Sequence, residues 1–444
     1  MLSILLFFLV SCTEVKTQNN ATIDLGKSIG EIKISYGSNE DSWLQFTQNT
    51  LFHNLHKDVN SKYIRTWIYC VSYMEDSIPY EGSTYDFAAL DNYINAILDS
   101  NAIPFVVFAN GIESCGGESH GNPPPSNDYE YADYVETVIK HFNDNCNNNL
   151  YSKQCNIDDW YFEVWNEPYH DKWWEGDPPR FSVMFNIIYS RIKAITSAKV
   201  GGPTGTYVLG YPSYTQRMKS FLINSKPDFI SIHHYGNMLS PPLLRHYTEA
   251  QKMEDIKLLF HDSILALRQL AIQNNKQNIE IVNSEYSSDS TAEYMSHLDE
   301  QFTATWYASA LINQIKSQKI DIELFYSGTS TLSDGGFGMW NFKGELFPSY
   351  YMKKSFVKYN KKGSSILDTV YDPNSVDILA VENNQGRFIT IVNKRDKDNS
   401  INLTLLNIES KELVDLNSQE KYLVLSNTVQ INLKPYEVKF FQVI

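Results

Sequence analysis

A (β/α)8 TIM barrel followed by a small β-sandwich is the architecture these 444 residues predict. Three observations carry it. Eight short apolar runs alternate with helical stretches from about residue 30 to 360. Several of those runs are apolar throughout, as in Ile103-Pro104-Phe105-Val106-Val107-Phe108, which suits strands buried on both faces of a parallel sheet. Beyond Tyr359 the helical spacing stops and short alternating strands take over.

The eight runs fall at residues 32–36, 63–69, 103–109, 160–165, 199–202, 229–234, 279–284 and 322–326. Between them, residues 90–98, 131–142, 181–195, 256–272 and 302–315 place apolar side chains at helical intervals. The rival arrangement, a doubly wound open sheet, lacks its glycine-rich phosphate fingerprint here. Lys361-Lys362-Gly363-Ser364-Ser365 reads as a linker. The strands after it lie at 376–381, 388–392, 401–406, 422–425, 429–433 and 438–443. The division is therefore 1–20 as signal peptide and polar linker, 21–360 as barrel and 361–444 as β-sandwich. Residues 21–30 are a candidate extra strand for the sandwich.

The N-terminus is apolar from Met1 to Val10, too short to span a bilayer, and reads as the core of a signal peptide. Leu9-Val10-Ser11-Cys12 resembles a lipobox, but no Lys or Arg precedes it. A lipid anchor at Cys12 and plain secretion stand as alternatives, and both make the protein exported. Export permits disulfides among the remaining cysteines. Cys146 and Cys155 flank an Asn-rich loop and are expected to pair, leaving Cys70 with Cys115. A net charge of −15 argues against a nucleic-acid partner. No CxxC or HExxH spacing calls for a metal, and no cofactor is expected.

Chemistry concentrates at two strand ends. Trp160-Tyr161-Phe162-Glu163-Val164-Trp165-Asn166-Glu167-Pro168 is an apolar strand that stops on Asn-Glu-Pro; by count it is barrel strand four. Ile279-Glu280-Ile281-Val282-Asn283-Ser284-Glu285-Tyr286 ends strand seven on a second Glu. Asn and Pro are ordinary turn residues, and a lone strand-end Glu is commonly salt-bridged. Two carboxylates on one barrel rim, however, make a mechanism, because barrel active sites sit at the strands' C-terminal ends. That mechanism is glycoside hydrolysis, with Glu167 protonating the leaving oxygen and Glu285 attacking the anomeric carbon. Glu167 is then expected to have a raised pKa and Glu285 to be ionised.

These strand ends resemble clan A of the glycoside hydrolases. Phe162-Glu163-Val164-Trp165-Asn166-Glu167-Pro168 resembles family 39 more narrowly, the family of β-xylosidases and α-L-iduronidases. Lys199-Val200-Gly201-Gly202-Pro203, Ser231-Ile232-His233-His234-Tyr235, Gly335-Gly336-Phe337-Gly338 and Pro348-Ser349-Tyr350-Tyr351 match in order. The resemblance implies a retaining glycosidase, β-xylosidase-like and exo-acting, on an oligosaccharide or glycoside. Glu167 would be acid/base and Glu285 nucleophile. Asn166 would bond the sugar 2-hydroxyl, His233 or Tyr235 would touch the nucleophile or substrate, and Arg65 would support the nucleophile. Trp340, after the glycine run, is a candidate stacking wall for sugar or else a packed loop aromatic, and Trp173 and Trp174 are similar cases. Around the nucleophile the chain reads Asn283-Ser284-Glu285-Tyr286 where xylosidases often have Thr-Glu-Trp or Thr-Glu-Phe, which leaves the sugar open. The alternatives are an endo-acting clan A glycanase and a carbohydrate-binding barrel without catalysis.

Overall fold

A computed structural model describes residues 19–40, 42–69, 87–109, 125, 127–170, 174, 176–239, 248–290, 300–330, 337–407 and 412–444. After a first strand, β1 (Asn19–Glu31), eight parallel strands close a barrel. They are β2 (Ser35–Asn39), β3 (Tyr63–Tyr69), β4 (Ile103–Ala109), β5 (Tyr161–Val164), β6 (Lys199–Gly205), β7 (Phe229–Tyr235), β8 (Glu280–Ser287) and β9 (Ile322–Phe325). Pairing of β9 with β2 completes the ring. Around it stand α1 (Trp43–Gln48), α2 (Thr50–Asp58), α3 (Ala88–Asp99), α4 (Asp128–Asn147), α5 (Pro178–Lys193) and α6 (Pro212–Asn224). The ring of helices continues with α7 (Glu249–Lys257), α8 (Ser263–Gln273), α9 (Gln301–Ser317) and α10 (Pro348–Tyr359).

Alternation explains why the strands read as continuous apolar runs. On β4, Val106 and Phe108 face the helices while Phe105 and Val107 face the barrel interior, so all four are buried. The barrel floor is a packed layer of Tyr63, Phe105, Tyr161, Phe229, Val282, Ile322 and Leu324. Gly201 makes room for it: a Cβ there would stand 2.5 Å from the ring and carbonyl of Phe229. Above this floor the interior turns polar.

The C-terminal strands are β10 (Ser365–Val370), β11 (Val376–Asn383), β12 (Gly386–Asn393), β13 (Asn399–Leu406), β14 (Glu412–Asp415), β15 (Lys421–Leu423), β16 (Thr428–Leu433) and β17 (Val438–Val443). With β1 they hydrogen-bond as one nine-stranded sheet. The N-terminal strand is central to it, antiparallel to β10 and parallel to β13. The sheet doubles over so that Ile401, Leu403 and Ile431 share a core with Ile378, Ile389 and Phe441. The opposite face, through Leu379, Val392 and Phe440, joins the barrel's own core. Asp377 accepts from Ser309 and Asn313 on α9, and Lys316 donates to Thr369 and Tyr371 across the same seam.

Some elements depart from the sequence reading. The first barrel strand runs 35–39 rather than 32–36, because Ile32 is tied to Gly363 and Ser364 of the linker. The helix expected at 256–272 is interrupted by a π-turn at Leu258–Asp262, where the Ser263 hydroxyl bonds the Leu258 carbonyl. Cys146 and Cys155 are bonded, closing a nine-residue separation. Residues 1–18 with Cys12, and also Cys70, Cys115 and Trp173, lie outside the described residues. Among the described residues no helix is long and apolar enough to cross a membrane.

Candidate active site

The two glutamates reach the same mouth by local distortions of regular strands. At the end of β5, Trp165 and Glu167 both have left-handed backbone, with φ of 67° and 47°. Such conformations cost about 1–3 kcal/mol for a residue with a side chain and persist only where packing imposes them. Here the Trp165 ring is clamped edge-on by Tyr131 and Trp174. Its carbonyl accepts from the Thr204 hydroxyl at 2.9 Å. On β8 the register against β7 slips by one residue: Ile232 pairs with Asn283, but His233 pairs with Glu285. Ser284 is the extra residue. Without it, alternation from the inward Val282 would turn Glu285 out toward the helices. With it, Glu285 faces in and Tyr286 packs outward on Phe260 and Trp306.

Carboxylate oxygens of Glu167 and Glu285 and a ring nitrogen of His233 all lie within 4.8 Å of one another. Glu285 keeps 8 % side-chain exposure and Glu167 18 %, so both open to the mouth. Each Glu285 oxygen is held. Arg65 Nη1 donates to Oε1 at 2.7 Å and the Tyr235 hydroxyl donates to Oε2 at 2.6 Å. Burial, and then Glu285 itself, pushes the Tyr235 phenol well above its usual range, which keeps it a donor. His233 Nδ1 sits 2.7 Å from Glu167 Oε1 and 3.5 Å from Glu285 Oε2.

This histidine reverses one expectation. Burial alone would raise Glu167, but the His233 imidazole, with smaller contributions from His170 and Arg65, more than offsets it and holds the carboxyl below its ordinary value of 4.5. Burial likewise opposes charge on His233, yet Glu285 and Glu167 lift it above 6.5. Between pH 4.5 and 6.5, then, the pair holds one proton, drawn toward the imidazole. Its neighbour His234 points the other way, bonded to the Tyr207 carbonyl and packed on Phe260; burial pushes it down to about 4.

Beneath the glutamates Arg65 organises the polar layer with all five of its N–H groups. Nε and Nη2 donate to Glu163 Oε2 at 2.8 and 2.6 Å, and Nη2 also reaches Asn166 Oδ1 at 3.2 Å. Nη1 serves Glu285 and Asn39 Oδ1, the latter at 3.0 Å. Asn39 in turn donates to the carbonyls of Ser284 and Leu324, at the bulge and on β9. The Trp67 ring lies 4.7 Å from the guanidinium. Trp67, Tyr235, Tyr326 and Phe337 form a chain of edge-to-face rings beside Glu285. Glu167, His233 and Glu285 are close enough to ligate a cation on distance alone. Each already has a hydrogen-bond partner, so the arrangement suits proton sharing.

Of the residues singled out from sequence, Glu167, Glu285, Asn166, His233, Tyr235 and Arg65 therefore meet in one cluster. Arg65 and His233 are fully buried and act on the carboxylates, not on the open mouth. Trp340 is not at the mouth. It is fully buried, its indole donates to Thr329 Oγ1 at 2.8 Å and its ring packs on His56, so no face is free for a sugar. Trp174 is likewise buried packing. Sequence reasoning missed Glu163, Asn39, Trp67 and Tyr326. For Glu163 a signal existed: a charge inside an otherwise apolar strand must find an opposite charge, as must Arg65.

The fold and family comparisons agree. The structure superposes on a family 39 β-xylosidase from Caulobacter crescentus with TM-score 0.66 at 16 % identity, covering 95 % of this chain and 99 % of that one. The family 39 enzyme from Xanthomonas axonopodis pv. citri gives 0.68 at 15 %, covering 98 % and 100 %. A family 39 glycoside hydrolase from the gut symbiont Bacteroides cellulosilyticus WH2 gives 0.67 at 15 %, covering 94 % and 82 %. The sequence model of glycosyl hydrolases family 39 matches residues 13–366, most of the chain. The protein is a glycosidase belonging to glycosyl hydrolases family 39.

Proposed function

We propose that the protein is a retaining, exo-acting glycosidase with β-xylosidase-like specificity, working by double displacement. The observation that carries the retaining reading is the spacing of Glu167 and Glu285, whose nearest oxygens lie within 4.8 Å. Retaining pairs stand about 5–5.5 Å apart, whereas inverting pairs leave about 6.5–9.5 Å for a water.

In the first step Glu285 attacks the anomeric carbon while the proton held between Glu167 and His233 passes through Glu167 to the leaving oxygen. In the second, Glu167 takes a proton from water, the resulting hydroxide equivalent attacks the anomeric carbon and Glu285 leaves. Arg65 and Tyr235 each donate to one oxygen of Glu285 and hold it aimed. Asn166, anchored by Arg65 through its oxygen, keeps its amide NH2 for the sugar 2-hydroxyl. The partly exposed rings of Tyr235, Tyr326 and Phe337, backed by Trp67, offer an apolar wall of the kind a pyranose packs on. Similarity to a β-xylosidase supports the pentoside preference. The N-terminal apolar run supports export to the cell surface or medium.

The test is turnover on a panel of nitrophenyl glycosides, wild type beside Glu285→Ala. The expected outcome is cleavage of a pentoside by the wild type, a dead variant, and partial rescue by azide with a glycosyl azide as product. Cleavage of polysaccharide but no nitrophenyl glycoside would overturn exo action. An active Glu285→Ala enzyme would overturn the mechanism.

A further inference from the structure

We propose that Glu163 is a positioning residue: it neutralises Arg65, so that the negative charge of Glu285 stays unspent for the cationic sugar formed at the transition state. The inference rests on the double-displacement reading above.

Glu163 lies on β5, four residues before Glu167, which follows the strand's C-terminal end; Glu163 is fully buried. It has no path to a sugar. Both of its hydrogen bonds from Arg65 fall on Oε2; Oε1 is buried and has no hydrogen-bond partner among the described residues. A buried ion pair is costly, and apolar side chains in place of both partners would serve stability as well or better; Arg65 is needed to hold Glu285, so Glu163 is needed to balance Arg65. A role in the charge balance explains its presence.

The charges that face one another here come from β3, β5, β7 and β8: Arg65, Glu163, Glu167, His233 and Glu285, with Tyr235 a neutral donor. His170, after β5, adds a weaker influence on Glu167. The Glu167–His233 pair shares one proton and is neutral as a unit. Arg65 is cancelled once by Glu163, and one negative charge remains, on Glu285. Without Glu163, Arg65 would cancel Glu285 instead, and the site would face an oxocarbenium-like transition state with no net charge. A guanidinium spent on Glu285 also makes that carboxylate a poorer nucleophile and a better leaving group. The first displacement should slow and the second should not.

The test is Glu163→Gln, measured with an activated aryl glycoside that the wild type turns over. We expect kcat/KM, which reports the first displacement, to fall about 10- to 100-fold, while the rate constant of the second displacement is little changed. The alkaline limb of its pH profile should move down by about half a unit or more, because a lost negative charge loosens the shared proton. Glu163→Asp keeps the charge and should keep the limb where the wild type has it, with an intermediate rate. A folded Glu163→Gln enzyme with wild-type kcat/KM and an unmoved limb would overturn the proposal. If Glu163→Gln does not fold, Glu163→Asp decides: a limb displaced although the charge is retained would overturn it equally. Failure of the wild type on every glycoside would instead count against the double-displacement reading itself.

Discussion

Two buried ionic clusters lie on neighbouring parts of this barrel, and they are built to opposite ends. One is the mouth cluster of Arg65, Glu163, Glu285, Glu167 and His233. The other is Glu323 on β9 with Lys353 on α10, 3.2 Å apart and fully buried between barrel and helices. Lys353 also donates to the Gly37 carbonyl and lies over the Tyr307 ring; Glu323 accepts from Tyr286 at 2.5 Å. That pair is balanced and sealed. Burial holds the Glu323 carboxyl above its ordinary range and the Lys353 ammonium below its own, so ionising the two costs folding free energy. The mouth cluster carries surplus negative charge, a shared proton and an opening. Burial of charge is common to both, so it does not mark a catalytic site. Imbalance and access set the mouth apart as the proposed catalytic site.

Substitutions can break or sharpen that contrast. The largest effect should come from Glu285→Ala, which removes the surplus charge: turnover should fall at least about a thousandfold while the thermal midpoint stays near that of the wild type, since Arg65 keeps Glu163. Lys353→Met should do the reverse. It leaves Glu323 buried without its cation and should cost about 3–5 kcal/mol in denaturant unfolding, with kcat/KM unchanged below the transition. The double variant Glu323→Gln/Lys353→Met removes both charges and should cost less than about 2 kcal/mol by the same measurement.

The smallest shift belongs to His233→Phe, read from the pH profile of kcat/KM. In the wild type the shared proton leaves through an imidazole lifted above 6.5. In the variant Glu167 holds it alone, and the alkaline limb should fall by about one unit or more. The same pair bears on stability. Its raised histidine contributes stability that is fully present below 6.5 and lost as pH rises through the folded value. Its lowered Glu167 contributes stability present above 4.5 and lost as pH falls through the folded value. Urea midpoints of His233→Phe and wild type should therefore differ most between those limits and converge outside them.

The barrel was legible because strands buried on both faces must read as apolar runs, and eight of them alternate with helical spacing. Glu167 and Glu285 were legible because each ends such a run with a charge. Other features depend on what no run of residues displays. Ser284 acts as a bulge only against β7, so the inward turn of Glu285 is a property of a strand pair. His233 and His234 are adjacent and both buried; only the β7 register shows that His233 meets Glu167 and turns its expected raised pKa into a lowered one. Trp340 follows a glycine run that suggested a loop at the mouth, yet Thr329 and His56 take it into the core. The helices at Trp43–Gln48, Pro212–Asn224 and Pro348–Tyr359 carry too many polar residues on short stretches for periodicity to stand out, and Thr50–Asp58, although it buries one face, spans only nine residues.

The proposed role of Glu285, whose carboxylate carries the surplus charge at the mouth, is that of nucleophile. It is tested most directly by trapping the covalent intermediate. The wild type would be incubated with the 2-deoxy-2-fluoro analogue of the glycoside it turns over, then digested and weighed peptide by peptide. Time-dependent inactivation and one fluoroglycosyl adduct, on the peptide containing Glu285, are expected. An adduct on another residue, or turnover with inversion at the anomeric carbon and no adduct, would contradict that role.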